Sequence, residues 1–184
     1  MKYRISSNTA LILIDVQQGF DDPVWGSRNN PGAEKNIAKL LELWRNEKRP
    51  VLHVQHCSLE PDSPLRPDSP GCQFKHEAVP LEGEPVFQKT VNSAFIGTGL
   101  ESYLRNNSIN NLVIAGFTTD QCVSTSVRMA ENLGFSVMLP EDATATFDRT
   151  GPDNKYYSAQ EIHSINLVSL NDEFCEVIKT ADLI

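Results

Sequence analysis

Short apolar runs alternate along the chain with stretches whose apolar residues recur at helical spacing. The apolar runs predict six strands, at 10–14, 50–55, 86–89, 111–115, 135–139 and 174–178. The helical spacing predicts helices at 36–47, near 100–104, and at 124–133 and 159–170. Runs without polar alternation are typical of strands buried on both faces of a parallel sheet. Repeated strand–helix units therefore predict an α/β fold, with right-handed crossovers and helices on both sides of the sheet.

One proline-rich segment, about 57–85, breaks this alternation. It holds six of the eleven prolines, and the first four recur at every third position, 61, 64, 67 and 70. This spacing favours extended, polyproline-like backbone. A loop of this length within a compact domain is usually a functional cover or disordered. Because neither flank could complete a sheet alone, we interpret the segment as an ordered cover loop within a single domain spanning 1–184.

Composition limits the classes of partner. The 184 residues include 16 Lys and Arg against 24 Asp and Glu, a net charge of −8, which argues against a nucleic-acid or anionic-membrane partner. The apolar run at 10–14 is too short for a signal-peptide core of about 7–15 residues. No run reaches the roughly 18 residues of a transmembrane helix. We therefore expect a cytoplasmic protein with reduced cysteines.

Candidate chemistry lies where predicted strands end. Asp15 follows the first strand, Lys89 ends the third, and Cys122 lies in the turn between the fourth strand and a helix. Ligands of open parallel sheets bind beyond these carboxyl ends. In the first turn of a helix, free N–H groups stabilise a thiolate, lower its pKa and can hold an oxyanion. The remaining cysteines lack this setting, and we interpret them as structural: Cys57, Cys72 and Cys175.

Each of these residues also has an ordinary structural explanation. An Asp after a strand is often a turn residue, a strand-end Lys is often solvated, and a single Cys often fills a core. His53 and His56 would point to opposite faces of a strand, which argues against joint metal ligation. The sequence has no C-x-x-C pair, H-E-x-x-H motif or G-x-G-x-x-G loop. We therefore expect neither a metal nor a cofactor.

Three segments together resemble the signature of the isochorismatase-like cysteine hydrolases. They are LIDVQ at 13–17, Lys89, and GFTTDQCV at 116–123. The resemblance extends over about 8–180 and includes NSAF at 92–95 and DATATF at 142–147. It implies a three-layer α/β/α sandwich around a Rossmann-like, six-stranded, largely parallel sheet.

The resemblance also implies the parts of an active site. It assigns a catalytic triad of Asp15, Lys89 and Cys122, with a cis peptide bond before Thr118. The backbone N–H groups of Thr118 and Cys122 would form the oxyanion hole. Closeness to strand ends suggests the substrate-binding residues, which are Gln17, Phe20, Trp25, His56, Asn92, Phe95, Phe117 and Phe147.

The implied activity is hydrolysis of a C–N bond of a small molecule through a thioester, by a homo-oligomeric enzyme. The nicotinamidases of the family carry an Asp-x-His metal motif after the second strand, whereas this chain has HCS at 56–58. Two alternatives remain open in the same pocket: vinyl ether hydrolysis of the isochorismatase type, and a catalytically silent binding module. A third is a redox role, because an exposed low-pKa thiol is readily oxidised.

Overall fold

The computed structural model describes residues 5–184, so residues 1–4 of the predicted domain lie outside the described residues. The strands are β1 Thr9–Ile14, β2 Val51–His56, β3 Val86–Lys89, β4 Asn111–Phe117, β5 Ser136–Pro140, β6 Thr144–Ala145, β7 Arg149–Thr150, β8 Tyr156–Tyr157 and β9 Glu176–Ile178. The α-helices are α1 Ala33–Asn46, α2 Leu100–Asn106, α3 Ser124–Asn132 and α4 Ala159–Leu170. Among residues 5–184, no helix is long and apolar enough to cross a membrane.

The main sheet has the order β3-β2-β1-β4-β5-β9, and all of its strand pairs are parallel. The two-residue β6 adds a seventh strand beside β4, while β7 and β8 form a separate antiparallel pair. The chain builds outward from β1 to β3 and then returns to place β4 against the other side of β1. The strand order therefore reverses between β1 and β4, the position where parallel sheets bind ligands.

Two apolar cores cover the two faces of the sheet. Along β1, residues 10, 12 and 14 belong to the core that includes residues of α2, α3 and α4. Leu11 and Leu13 belong to the opposite core, which they share with α1. Alternate side chains of a strand point to opposite faces, so a strand that is apolar throughout supplies both cores. This arrangement confirms the predicted three-layer α/β/α sandwich.

Several predicted element boundaries differ from the structure by one to three residues, and two of these differences have an identifiable physical reason. The second strand begins at Val51, one residue late, because Pro50 has no N–H to donate to a neighbouring strand. The last strand was expected from residue 174 but begins at Glu176. The N–H groups of Phe174 and Cys175 donate instead to Leu170 O at the end of α4.

The proline-rich segment is packed onto the body of the protein. Glu34 of α1 accepts two hydrogen bonds from Arg28, at 2.6 and 2.8 Å, and lies 3.3 Å from Lys75 Nζ. Lys75, a residue of this segment, also pairs with the Asp21 carboxylate. Gly71 passes so close to Gly19, which follows β1, that an added Cβ on Gly71 would lie 2.8 Å from Gly19 Cα. The segment is thus held by charge on one side and by backbone contact on the other.

Candidate active site

The ends of three strands converge on one buried cluster. Asp15 directly follows β1, Lys89 is the last residue of β3, and Cys122 lies in a π-helical turn, Thr119–Val123, between β4 and α3. Neighbouring strands lie about 4.8 Å apart, so the Lys89 side chain must cross β2 to reach β1. Its length allows this, and Nζ lies 2.7 Å from Asp15 Oδ2. Both side chains are fully buried, with 0% exposure.

The Lys89 ammonium has three neighbours within hydrogen-bonding distance. Besides Asp15, Nζ lies 3.2 Å from Cys122 Sγ and 3.0 Å from His56 Nδ1. An ammonium group has three N–H donors and no acceptor, so these contacts use all of its donors. Lys89 is therefore oriented by an acid, a thiol and an imidazole at once.

The electrostatics of this cluster differ from the sequence expectation of a lowered Cys122 pKa. Burial raises the pKa of the Cys122 thiol to about 12, and the nearby Asp15 carboxylate adds to the shift, while Lys89 opposes it. Burial also raises the pKa of Asp15 above 3.8, again opposed by Lys89. The thiol stands at the start of a helix as predicted, but burial beside a carboxylate outweighs the field of the helix N-terminus. Cys122 is thus a thiol at rest and needs a base to attack.

A cis peptide bond and a glycine define the backbone path that leads to the thiol. The peptide bond between Phe117 and Thr118 is cis, and Gly116 has φ of +122°. An added Cβ on Gly116 would lie 2.0 Å from the Ile14 carbonyl oxygen of β1, so glycine permits the close approach of the two strands. The backbone N–H groups of Thr118 and Cys122, the predicted oxyanion hole, belong to this same turn.

Buried hydrogen bonds hold the turn on the side away from the cavity, and no feature of the sequence predicts them. Thr119 Oγ1 lies 2.9 Å from His163 Nδ1 of α4 and 3.0 Å from Thr144 Oγ1 of β6. On the adjoining residue, the Asp120 carboxylate accepts a 2.9 Å hydrogen bond from Arg149 Nε. The turn that carries Cys122 is therefore fixed by three segments from the last third of the chain.

A cavity of about 430 Å³ opens over Cys122. Four of the predicted substrate-binding residues lie on its wall: Phe20, Trp25, His56 and Asn92. The cover loop adds residues 58 and 60–65 to the wall, none of which was among the predicted substrate-binding residues. Thr118, predicted for the oxyanion hole, also lines the cavity, as do Val24 and Gln121, which were not predicted. A larger cavity, of about 650 Å³, lies at the amino ends of β4, β5 and β9 and contains no residue of the cluster. We assign the site to the smaller cavity because it alone of the two reaches the thiol.

The other four predicted substrate-binding residues do not line this cavity. The Gln17 amide donates to the carbonyl oxygens of His56 and Cys72 and so ties β1 to the cover loop. Phe95 stacks on Phe135, with ring centroids 6.1 Å apart. The rings of Phe117 and Phe147 lie behind Phe20, at 5.7 and 6.2 Å, and support it from the α1 side of the sheet. Nearness in sequence to a strand end places a residue at the correct edge but does not set the direction of its side chain.

Three side chains of the cluster have the donor atoms of a metal site. The ligand atoms of Asp15, His56 and Cys122 lie within 4.8 Å of one another. Lys89 Nζ contacts all three residues and occupies the position that a cation between them would take. In this arrangement the ammonium group serves as the internal cation of the site.

Comparison with known proteins is consistent across sequence and structure. Residues 9–182 match the isochorismatase domain model. The chain is 48% identical to the isochorismatase family protein YrdC of Bacillus subtilis, over 95% of this chain and 94% of that protein. An isochorismatase-family protein from Chromobacterium violaceum has a superimposable crystal structure, with a TM-score of 0.94 and 48% identity, covering 99% of this chain and 94% of the other.

A more distant relative has a named activity. The N-carbamoylsarcosine amidase of an Arthrobacter species is 37% identical, over 72% of this chain and 58% of the amidase.

Proposed function

The chain belongs to the isochorismatase family of hydrolases, and on that premise we propose that it hydrolyses a C–N bond of a small molecule, with Cys122 as nucleophile. The observation that carries the proposal is the buried contact of Lys89 Nζ with both Asp15 Oδ2 and Cys122 Sγ, at 2.7 and 3.2 Å. A nucleophile, a base and an orienting cation are the components of covalent catalysis by a thiol. The relative from Arthrobacter is named as an amidase, and amidases hydrolyse C–N bonds.

In the proposed first half-reaction, Sγ of Cys122 forms a bond to the substrate carbonyl carbon. The thiol proton moves to Asp15, whose raised pKa makes the carboxylate a stronger base than usual. The Thr118 and Cys122 N–H groups receive the oxyanion. When the C–N bond breaks, Asp15 returns the proton to the departing nitrogen, leaving an amine and a thioester on Cys122.

In the second half-reaction, water attacks the thioester carbonyl carbon and gives a proton to Asp15. The C–S bond breaks, the acid leaves, and Asp15 returns the proton to the sulfur. Lys89 stays charged throughout and stabilises the anionic sulfur and the carboxylate in turn. The net reaction consumes one water and restores the resting thiol, so it needs no cofactor.

The cavity wall favours a neutral or cationic substrate over an anionic one. Among its lining residues, the charged side chains are the carboxylates of Glu60 and Asp62, both from the cover loop. Lys89, which lies beside the thiol, is fully buried and already engaged with its three partners. A dianion such as isochorismate would face like charge at the entrance, and none of the described lining residues is a Lys or Arg that could bind it. The wall thus supports amide hydrolysis over the vinyl ether alternative.

A three-substrate panel tests the proposal: p-nitroacetanilide as a neutral amide, N-carbamoylglycine as an anionic ureide, and isochorismate. We expect the wild type to hydrolyse the anilide and Cys122→Ala to lose turnover, with the substrate's acyl group trapped on the Cys122 peptide after an acid quench. Cys175→Ala is the matched control, since Cys175 is a buried cysteine remote from the cavity.

Hydrolysis that persists in Cys122→Ala would refute the covalent mechanism. Turnover of isochorismate alone would favour the vinyl ether reaction, and saturable binding without turnover would favour a silent binding module.

A further inference from the structure

His56 occupies an unusual position, because its ring faces a cation. His56 and Lys89 are register partners at the ends of β2 and β3, and Nδ1 lies 3.0 Å from Lys89 Nζ. Since an ammonium group can only donate, Nδ1 must accept this hydrogen bond through its lone pair. The imidazole is therefore neutral, with its proton on Nε2.

The surroundings hold His56 in this state. Gln17 binds its backbone on both sides, receiving a 2.8 Å hydrogen bond from the His56 N–H and donating one of 3.0 Å to its carbonyl oxygen. Burial and the facing charge of Lys89 together lower the pKa of His56 to about 4, and Asp15 is the other charged group of the cluster. The neighbouring Val91 backbone acts in the opposite direction and raises the pKa of the ring, but it does not outweigh the two lowering effects. At neutral pH the ring therefore remains an acceptor.

Lys89 needs such an acceptor because its backbone lies on β3, two strands away from Asp15. Its side chain starts on the edge strand β3 and crosses β2 to reach Asp15, so the ammonium lies at the far end of a long, flexible side chain. Without Nδ1, one N–H of a fully buried ammonium would lose its partner, which is more costly for a charged group than for a neutral one. The ammonium would then turn from the position that contacts both Asp15 and Cys122.

We propose that His56 is a positioning residue that accepts the third hydrogen bond of Lys89 and so holds the ammonium between Asp15 and Cys122. This role rests on the proposed function of the same site. It differs from the substrate contact expected for His56 from the sequence, because the nitrogen that acts faces Lys89. It also differs from metal ligation, because the lone pair of Nδ1 is already occupied.

Two substitutions distinguish the effect of losing the hydrogen-bond acceptor from the effect of losing the volume of the ring. In His56→Asn, the amide oxygen can take the place of Nδ1 as acceptor, whereas His56→Leu keeps comparable volume without an acceptor. With p-nitroacetanilide as substrate, we expect His56→Leu to lower kcat by about 10–100-fold, the range for loss of an orienting partner. KM should change less than about twofold, since this role concerns the transition state. His56→Asn should recover most of the lost activity.

The pH profile of kcat distinguishes a positioning role from a merely structural role, because a structural role would leave the profile unchanged. Because Lys89 opposes the raised pKa of Asp15, a displaced ammonium should raise it further. The acid limb of kcat should therefore move to higher pH in His56→Leu and stay in place in His56→Asn. Equal losses in the two variants, an unchanged acid limb, or an effect confined to KM would each overturn the inference.

A measurement without turnover keeps this test separate from the proposed function. The rate at which iodoacetamide alkylates Cys122 at pH 9 depends on the thiolate fraction, which Lys89 increases. We expect this rate to fall several-fold in His56→Leu and to stay near the wild-type value in His56→Asn, with thermal denaturation confirming that both are folded. This result would uphold the positioning role even if no amide were hydrolysed. Equal alkylation rates in all three proteins would overturn it.

Discussion

The buried pair of Asp15 and Lys89 makes the most direct physical prediction about this fold. Both side chains have 0% exposure, Lys89 Nζ lies 2.7 Å from Asp15 Oδ2, and no other cation pairs with the Asp15 carboxylate among residues 5–184. Each charge is thus stabilised chiefly by the other. Removing one partner of a buried pair typically costs about 3–5 kcal/mol, because the remaining charge is left without compensation.

We therefore expect Asp15→Asn and Lys89→Met each to lower the free energy of unfolding by about 3–5 kcal/mol. For a chain of this size, that corresponds to a Tm lower by about 6–20 °C. The double variant removes both charges and should cost less than either single one, about 2 kcal/mol or below, mainly from the buried polar Asn. Urea unfolding followed by tryptophan fluorescence measures all three proteins at pH 7.

The double-mutant cycle decides between a coupled and an uncoupled pair. A double variant whose loss equals the sum of the single losses would refute the reasoning, since it would show that the two charges are stabilised independently.

The stability of Lys89→Met should depend on pH in a direction that can be predicted. The folded-state pKa of Asp15 lies above its ordinary value of 3.8, so between these values the folded protein binds more protons than the unfolded chain. Stability then falls as pH rises through the folded pKa and is recovered on acidification towards 3.8. Without the opposing Lys89 charge the pKa of Asp15 is higher still, and the deficit of this variant should shrink as pH falls. A deficit that grew on acidification would contradict this.

Two further predictions concern the cover loop. Glu34→Gln removes the anion that Arg28 and Lys75 share, so we expect the free energy of unfolding in urea to fall by roughly 2–4 kcal/mol. The matched control Glu47→Gln, from an exposed ion pair, should cost about 1 kcal/mol or less. Equal losses in the two variants would show that the Glu34 ion pairs do not hold the cover loop. The double substitution Glu60→Gln and Asp62→Asn should reduce the preference for a cationic amide over an anionic one by about 3–10-fold in kcat/KM, an effect of screened charges that weakens with added salt. Measured on the p-nitroanilides of β-alanine and succinic acid, an unchanged preference would show that the cavity entrance does not select by charge.

Local pattern was enough to predict much of the fold. The all-apolar runs of β1 and β4 require a sheet that is covered on both faces, and strands that alternate with helices require parallel pairing. The pattern of each strand and helix can be recognised within its own segment, and the alternation of the two along the chain then predicts the architecture. The short β6 was missed because a two-residue strand exists only where β4 offers an open edge.

The same local logic placed Asp15, Lys89 and Cys122 at one edge of the sheet, since the carboxyl ends of parallel strands lie together. It could not give the pKa of Cys122, because burial and the neighbouring carboxylate come from segments far apart in sequence. Nor could it show that Phe95 turns into the core.

The sequence by itself therefore determined which residue types reach the site and from which strands they come. Only the tertiary structure decided which atoms meet there: that the amide of Gln17 holds the cover loop, and that Nδ1 of His56 faces Lys89. The physical reason is that a strand's period of two fixes the face and the end of a side chain, whereas its partners, burial and charge state depend on chain segments that only folding brings together.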